Sequence, residues 1–349
     1  MPDSERVRQA EQAADRLFCR TIADLHDGAL AQPAQRSVVR AGVYAIELAF
    51  ASRALAEAYT ASFLPGEDAA SAMRLAVVTA SDVDLSHLIP ANADEGRTHV
   101  TDACFVSWHA DRRRILYALD RATCRGLVWL ADDAAPEWEL SRPVCPLINV
   151  LTVGTRHVIA HGGAVSRDGR CLLLAGKKGR AGKTTAALAC ARAGWDYAGD
   201  DYFFADTESG RVEPLYVSAR LRADMGGAFA ELLATSRILS DDDGDSRHEL
   251  RLSRWLARER IAGGRVEAVL LPRRRGAARP QFEPATRTQA FEALFRTTAL
   301  GLPGPMQWTA AKLTRLVALA PAFFVDTGSA PDAIPEAFGA FLDSLPRAV

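Results

Sequence analysis

The stretch from Leu172 to Asp206, LLLAGKKGRAGKTTAALACARAGWDYAGDDYFFAD, holds the residues best suited to chemistry. Gly182-Lys183-Thr184 closes a glycine-rich turn of the form GxxxxGK[ST], whose backbone N–H groups face the oxygens of a phosphate. Gly176, Lys178, Gly179, Arg180 and Ala181 make up the body of the turn. A helix expected from about Gly182 to Arg192 brings its positive N-terminal end to the same place. In such a turn the lysine neutralises β- and γ-phosphate charge and a hydroxyl at Thr184, with Thr185 beside it, reaches magnesium. The first glycine of the pattern is displaced, since position 177 is Lys177 and Gly176 lies one place earlier. The chain has four lysines, and three of them, Lys177, Lys178 and Lys183, lie in this turn, where compact point charges meet phosphates.

Two carboxylates follow. Asp200 and Asp201 lie 17 and 18 residues after Lys183, at the end of a short apolar segment. Successive residues of a strand point to opposite sides. If the strand ends or bends there, one carboxylate holds magnesium through the phosphates while the other faces an incoming hydroxyl. His161, 22 residues before Lys183 in VIAHGGAVS, is either a packed core residue or a group near those phosphates.

The elements that must position these groups are legible in outline. HVIAHGGAVSRDGRCLLLAG reads as strand runs flanking a hairpin dipeptide, Asp168-Gly169. The turn and its helix come next, then WDYAGDDYFFAD as a strand, ILSDDDGDSRHE as a polar surface loop, and RVEAVLLPRRRG as a strand ending at Pro272. RHELRLSRWLARER mixes signs at helical spacing and reads as a solvated helix. The last 60 or so residues look helical around one strand, PAFFVDTG. In the first half, the opening 35 or so residues look helical and RSVVRAGVYAIELAFAS reads as a strand. CFVSWHAD, RILYALDRAT and RGLVWLADD form an expected antiparallel meander. PEWELSRPVCPLINVLTVGTRH reads as a helix broken near Pro143 and Pro146, at the domain boundary. The expected fold class is therefore α/β: a mixed-sheet nucleotide-binding domain over 151–349, preceded by a smaller α+β domain over 1–150.

Composition excludes several classes. A formal charge of −1 rules out a globally basic nucleic-acid binder, although residues 247–296 hold twelve arginines against five glutamates. That stretch reads either as a solvated surface or as a groove for an acidic peptide. No apolar run reaches 18 residues, so no membrane span is expected, and the polar start lacks the apolar core of a signal peptide. Six scattered cysteines with no CxxC pair fit reduced thiols in a cytoplasm.

The block from His161 to Asp201 resembles the HPr kinase/phosphorylase superfamily, whose core is also similar to that of phosphoenolpyruvate carboxykinase. His161-Gly162, Gly182-Lys183-Thr184 and Gly199-Asp200-Asp201 follow in the order and at the spacing of that family. The texture from His161 to Tyr202 looks like that of the HPr-kinase-like serine kinases found beside bacterial peptide natural-product genes, the lasso-peptide kinases among them. The resemblance implies ATP and Mg2+ as cofactors and a peptide or small protein bearing a serine hydroxyl as partner, with no nucleic acid and no membrane. It implies that one of Asp200 and Asp201 is the base and the other a magnesium ligand with Thr184, assigned here as Asp200 the base and Asp201 the ligand, and that His161 sits near the transferring phosphate. It also implies phosphate or acceptor contacts from Arg220, Arg222, Arg273, Arg274 and Arg275, and acceptor recognition by the first domain. A small-molecule kinase on the same core and a non-catalytic nucleotide-binding regulator stay open beside this reading.

Overall fold

The computed structural model describes residues 19–28, 31–67, 71–85, 97–109, 115–176, 181–222, 228–234, 236–240, 246–302, 306–328 and 330–346. The protein is mixed α/β, with several sheets. Its residues gather into two compact units, one holding residues up to Arg40 with Tyr44–Leu151, the other Ala41–Val43 with Thr152–Leu302 and Met306 onward. Among the described residues no helix is long and apolar enough to cross a membrane.

The first unit has one sheet. Its strands are β1 (Gln35–Ala41), β2 (Tyr44–Phe50), β3 (Leu64–Pro65), β4 (Met73–Thr79), β5 (Arg97–Val100), β6 (Cys104–His109), β7 (Ile115–Asp120) and β8 (Arg125–Leu130), in the order β3-β1-β2-β4-β8-β7-β6-β5. The run read as a single strand is two, β1 and β2, because Gly42 takes a φ of +60° and turns the chain. β2, β4 and β8 run parallel. The helix Arg53–Thr60, capped by the Ser52 side chain, makes the crossover that a parallel pair needs. β6 to β8 form the expected antiparallel meander, and β5, which was not expected, pairs antiparallel with β6. The proline-broken helix is two helices, Glu137–Ser141 and Cys145–Leu151. Pro143 falls in the break and Pro146 in the first turn of the second helix, where no intrahelical donor is lost.

The second unit is built on a larger mixed sheet. Its strands are β9 (His157–His161), β10 (Gly163–Arg167), β11 (Arg170–Leu174), β12 (Asp196–Gly199), β13 (Tyr202–Asp206) and β14 (Arg211–Pro214), then β18 (Gly264–Arg273), β19 (Gln281–Ala285) and β20 (Ala322–Asp326). The order is β12-β10-β11-β18-β14-β13-β9, with β20 on β18 and β19 on β20. β11, β18 and β20 pair in parallel, and the other pairs are antiparallel. Cys171–Leu174 of β11 are wholly buried, as a strand covered on both faces must be. Leu173 and Val269 of the sheet share one core with Leu294 of the helix Arg287–Gly301 and with Leu313 and Leu316 of the helix Met306–Ala318. A separate three-stranded sheet orders β15 (Ser218–Arg222), β17 (Ser246–Arg251) and β16 (Arg237–Ser240).

Three expectations fail here. WDYAGDDYFFAD is not one strand but β12 and β13, which belong to different ladders and meet at the two aspartates. RHELRLSRWLARER is not a helix: it begins in β17 and continues in two short 3-10 turns, Leu252–Arg254 and Arg258–Arg260. Its charge spacing suits a helix, but alternation of Arg247, Glu249 and Arg251 with His248 and Leu250 suits a strand, and pairing on both sides decides. ILSDDDGDSRHE begins in β16 and ends in β17, and its acidic middle, Asp241–Asp245, lies outside the described residues. Of the opening helical stretch, residues 19–28 are helical and 1–18 lie outside the described residues.

In the first unit Glu139 is fully buried, accepting from the Tyr117 hydroxyl and from the Val144 N–H at 2.8 Å. Burial pushes its carboxyl up from an ordinary 4.5 to about 7. The folded chain therefore keeps a proton that the unfolded chain releases. The stability this contributes is full below pH 4.5 and is lost as pH rises through 7. Glu139→Gln removes the titration, so wild type should lose about 3 kcal/mol more than the variant between pH 4.5 and 8. Urea denaturation at the two pH values measures this, and parallel losses would contradict it.

Candidate functional site

The second unit brings the quoted residues together. β11 runs into Ala175 and Gly176, and the chain re-enters at Ala181 and Gly182 to start the helix Lys183–Arg192. Lys178, Gly179 and Arg180, with Lys177, lie outside the described residues. Gly182 is the helix N-cap with a φ of +89°, a left-handed conformation that lets the chain swing from loop to helix without a Cβ penalty. Lys183 is 8% exposed, and its Nζ donates to the Gly176 carbonyl at 3.1 Å, bridging the two ends of the turn. Burial pulls its ammonium below the usual lysine range, while the charges of Asp200 and Asp201 oppose that shift. Thr185 is buried one residue beyond Thr184. The lysine and the N-terminal end of the helix thus set positive potential beside Gly176 and Gly182.

The aspartates meet this place through a sharp bend. The Tyr202 N–H donates to the Asp200 carbonyl at 2.8 Å, and Asp201 between them has a φ of +68°. This is a γ-turn of the rarer kind, and a non-glycine residue held there costs on the order of 1–3 kcal/mol. The Gly162 N–H anchors the bend by donating to the Asp201 carbonyl at 3.0 Å. The bend sends the two carboxylates to different partners. Thr184 Oγ1 lies 3.0 Å from both Asp200 oxygens, and the Arg220 N–H lies 3.5 Å from Asp200 Oδ2. Asp201 Oδ1 instead lies 3.1 Å from His161 Nε2.

His161 is thus both buried and paired with Asp201. It ends β9, opposite Tyr202 in the ladder, with its ring edge-on to that tyrosine at 5.4 Å between centroids. Its backbone N–H donates to Thr298 Oγ1 at 2.9 Å, from the helix Arg287–Gly301. Thr298 is 1% exposed and 137 positions away, so no local pattern could mark it. Asp200 is 4% exposed, and burial followed by the neighbouring Asp201 charge raises its carboxyl to about 6.

The expected metal pair, Thr184 with Asp201, is not the pair the structure makes. The Thr184 hydroxyl is engaged with Asp200, because the γ-turn rotates Asp201 away toward His161. A hydroxyl and a carboxylate suit the hard oxygen coordination of Mg2+, which takes one or two carboxylates and completes its shell with phosphates and water. Among the described residues no group of three or more His, Cys, Asp and Glu side chains is arranged to hold a metal ion alone. The Thr184–Asp200 pair fits a metal shared with phosphates rather than one caged by protein.

The arginines divide into two sets. Arg220 and Arg222 lie on β15, whose backbone reaches Asp200. Arg273 ends β18; it and Arg275 pair with Glu283 at 2.9 and 3.1 Å, and Arg274 is exposed beside them. Arg273 also stacks on Phe324 and borders a cavity of about 850 Å³. Gly176 and Ala181 of the turn, Leu271 and Pro272 of β18, and Arg296 line the same cavity. Glu249 was missed in the sequence: 2% exposed on β17, it stands opposite Arg220 in the ladder. The two-residue alternation in RHELR was its one signal.

No protein-family model matches the chain, and no curated protein matches it.

At pH 8 the buried Asp200 must be charged although its folded carboxyl titrates near 6 against an ordinary 3.8. Asp200→Asn keeps the shape and can accept from Thr184. Without nucleotide or metal it should raise stability at pH 8 by up to about 3 kcal/mol and bring no gain near pH 4, where both forms are neutral. Thermal unfolding at the two pH values reads this, and a lower melting temperature for the variant at pH 8 would contradict it.

Proposed function

We propose that the chain is an ATP- and magnesium-dependent kinase that transfers the γ-phosphate to a serine hydroxyl, most plainly that of a peptide or small protein. We propose with it that the second unit has the fold type of HPr kinase and phosphoenolpyruvate carboxykinase. The observation that carries the reading is the division of the paired aspartates: Asp200 on the Thr184 hydroxyl at the phosphate turn, Asp201 on His161. Kinases commonly set one carboxylate at the metal and another at the entering hydroxyl, and two separately aimed aspartates suit that division.

In this reading the turn from Gly176 to Thr184 and the helix N-terminus hold the triphosphate, with Lys183 against the β- and γ-phosphates. The cavity beside Gly176 and Ala181, mostly apolar with Arg273 and Arg296 at its margin, receives base and ribose. Thr184 and Asp200 would hold a magnesium ion, which when bound would neutralise phosphate charge. Asp201, fixed by the bend and by His161, takes the proton of the serine hydroxyl. The serine oxygen bonds to the γ-phosphorus, the bond from that phosphorus to the β–γ bridging oxygen breaks in line, and ADP departs. The roles expected for Asp200 and Asp201 are thereby exchanged, for the geometric reason given above.

Label from γ-phosphate-labelled ATP, followed into the proteins and peptides of a bacterial lysate, tests this. Wild type should label an acceptor. Lys183→Ala and Asp201→Asn should lower the rate by about 10²-fold or more, with Asp201→Asn still binding ATP. Intact ATP binding without wild-type-dependent label, or an undiminished rate in Asp201→Asn, would overturn it.

A further inference from the structure

The helix Arg287–Gly301 packs Ala290, Leu294 and Thr298 into the interior. A second stripe along it holds Gln289, Glu292, Ala293, Arg296, Thr297 and Leu300, at the spacing that puts residues on one helix face. All six line the cavity of about 850 Å³ that Gly176 and Ala181 of the turn also line. Two of the polar groups on this stripe are committed to the helix itself. Gln289 Oε1 accepts from the Thr286 N–H at 2.9 Å in a capping box, and the Thr297 hydroxyl donates to the Ala293 carbonyl at 3.2 Å. Glu292 and Arg296 are different. Both are exposed, and among the described residues neither makes a hydrogen bond or an ion pair. A glutamate four positions before an arginine is the order in which the two commonly pair on a helix. Here the carboxylate and the guanidinium stay apart on the cavity wall, each accessible from outside.

The cavity is chemically two-sided. Leu271 and Pro272 of β18 and Phe324 of β20 give it an apolar side, suited to the flat faces of a base. A carboxylate on the exposed margin suits the polar part of a ligand instead. It only accepts, and two neighbouring hydroxyls offer two donors to its two oxygens. The ribose of a ribonucleotide carries such a pair between its base and its phosphates, and a 2′-deoxyribonucleotide lacks it. Arg296, one turn further along, supplies the opposite charge, so a carboxylate near the proposed phosphate site does not repel an anionic ligand.

We propose that Glu292 selects the sugar: its carboxylate takes the 2′ and 3′ hydroxyls of a ribonucleotide whose base lies against the apolar side of the cavity. The inference rests on the nucleotide site proposed above and adds to it a choice of ribose over deoxyribose.

Isothermal titration of the full chain with ATP, 2′-deoxyATP and inosine triphosphate, each with Mg2+, tests this. Wild type should bind ATP at least about tenfold tighter than 2′-deoxyATP. Glu292→Ala should bring ATP to within about twofold of 2′-deoxyATP while leaving 2′-deoxyATP nearly as it was, and Glu292→Gln, which keeps one acceptor oxygen, should fall between. A ratio of affinities is not moved by a loss of folded protein. Equal affinity of wild type for ATP and 2′-deoxyATP, or a preference that survives in Glu292→Ala, would overturn the proposal. So would a changed ratio of ATP to inosine triphosphate in Glu292→Ala, because the carboxylate would then read the base and not the sugar. A ribose preference without phosphoryl transfer would sink the kinase reading alone. Transfer from ATP and 2′-deoxyATP bound equally well would sink this inference alone, and binding of none of the three would end both.

Discussion

Two neighbouring carboxylates on an ordinary strand would face opposite sides of a sheet, and only one of them could reach the phosphate turn. The γ-turn across Asp200, Asp201 and Tyr202 is the constraint that changes this. By holding Asp201 at a φ of +68°, it ends β12, starts β13 on another ladder, and turns one carboxylate to Thr184 and the other to His161. Much of the second unit serves to hold that bend. β9 places His161 against Tyr202, Gly162 ties down the Asp201 carbonyl, and Thr298 fixes the backbone of His161 from a distant helix. The strain of the turn is offset by packing that leaves Tyr202 and Phe203 at 1% and 0% exposure.

The same place is costly in charge. Asp200 is buried beside a like charge, and these two effects hold its carboxyl up near 6 against the opposing pull of Thr184 and Lys183. Such groups are kept where their chemistry needs them, and stability is commonly surrendered there. In the proposed kinase, magnesium and phosphates would restore the balance of charge.

What could be read from the sequence was the local chemistry. The glycine-rich turn, the helix after it and the Asp168-Gly169 hairpin each follow from residues within one short window, and the structure forms the described parts of all three. The meander β6–β7–β8 was equally plain, because three strand-length, mostly apolar runs are separated by charged turns. What escaped was set by partners far along the chain. Nothing in WDYAGDDYFFAD announces a γ-turn, since that bend exists because β12 and β13 pair with different strands. RHELR fits a helix and a strand alike until β15 and β16 flank it. Thr298 and Glu249 are placed by partners far along the chain, and the proposed exchange of Asp200 with Asp201 turns on one backbone dihedral.

The division of labour between the aspartates is best tested by metal binding. Mn2+ titrated into the chain with a non-hydrolysable ATP analogue, and followed by electron paramagnetic resonance, separates the two. The account predicts that Asp200→Asn weakens metal binding at least about tenfold, whereas Asp201→Asn leaves it nearly unchanged. The reverse pattern, with Asp201→Asn losing the metal and Asp200→Asn keeping it, would contradict the account.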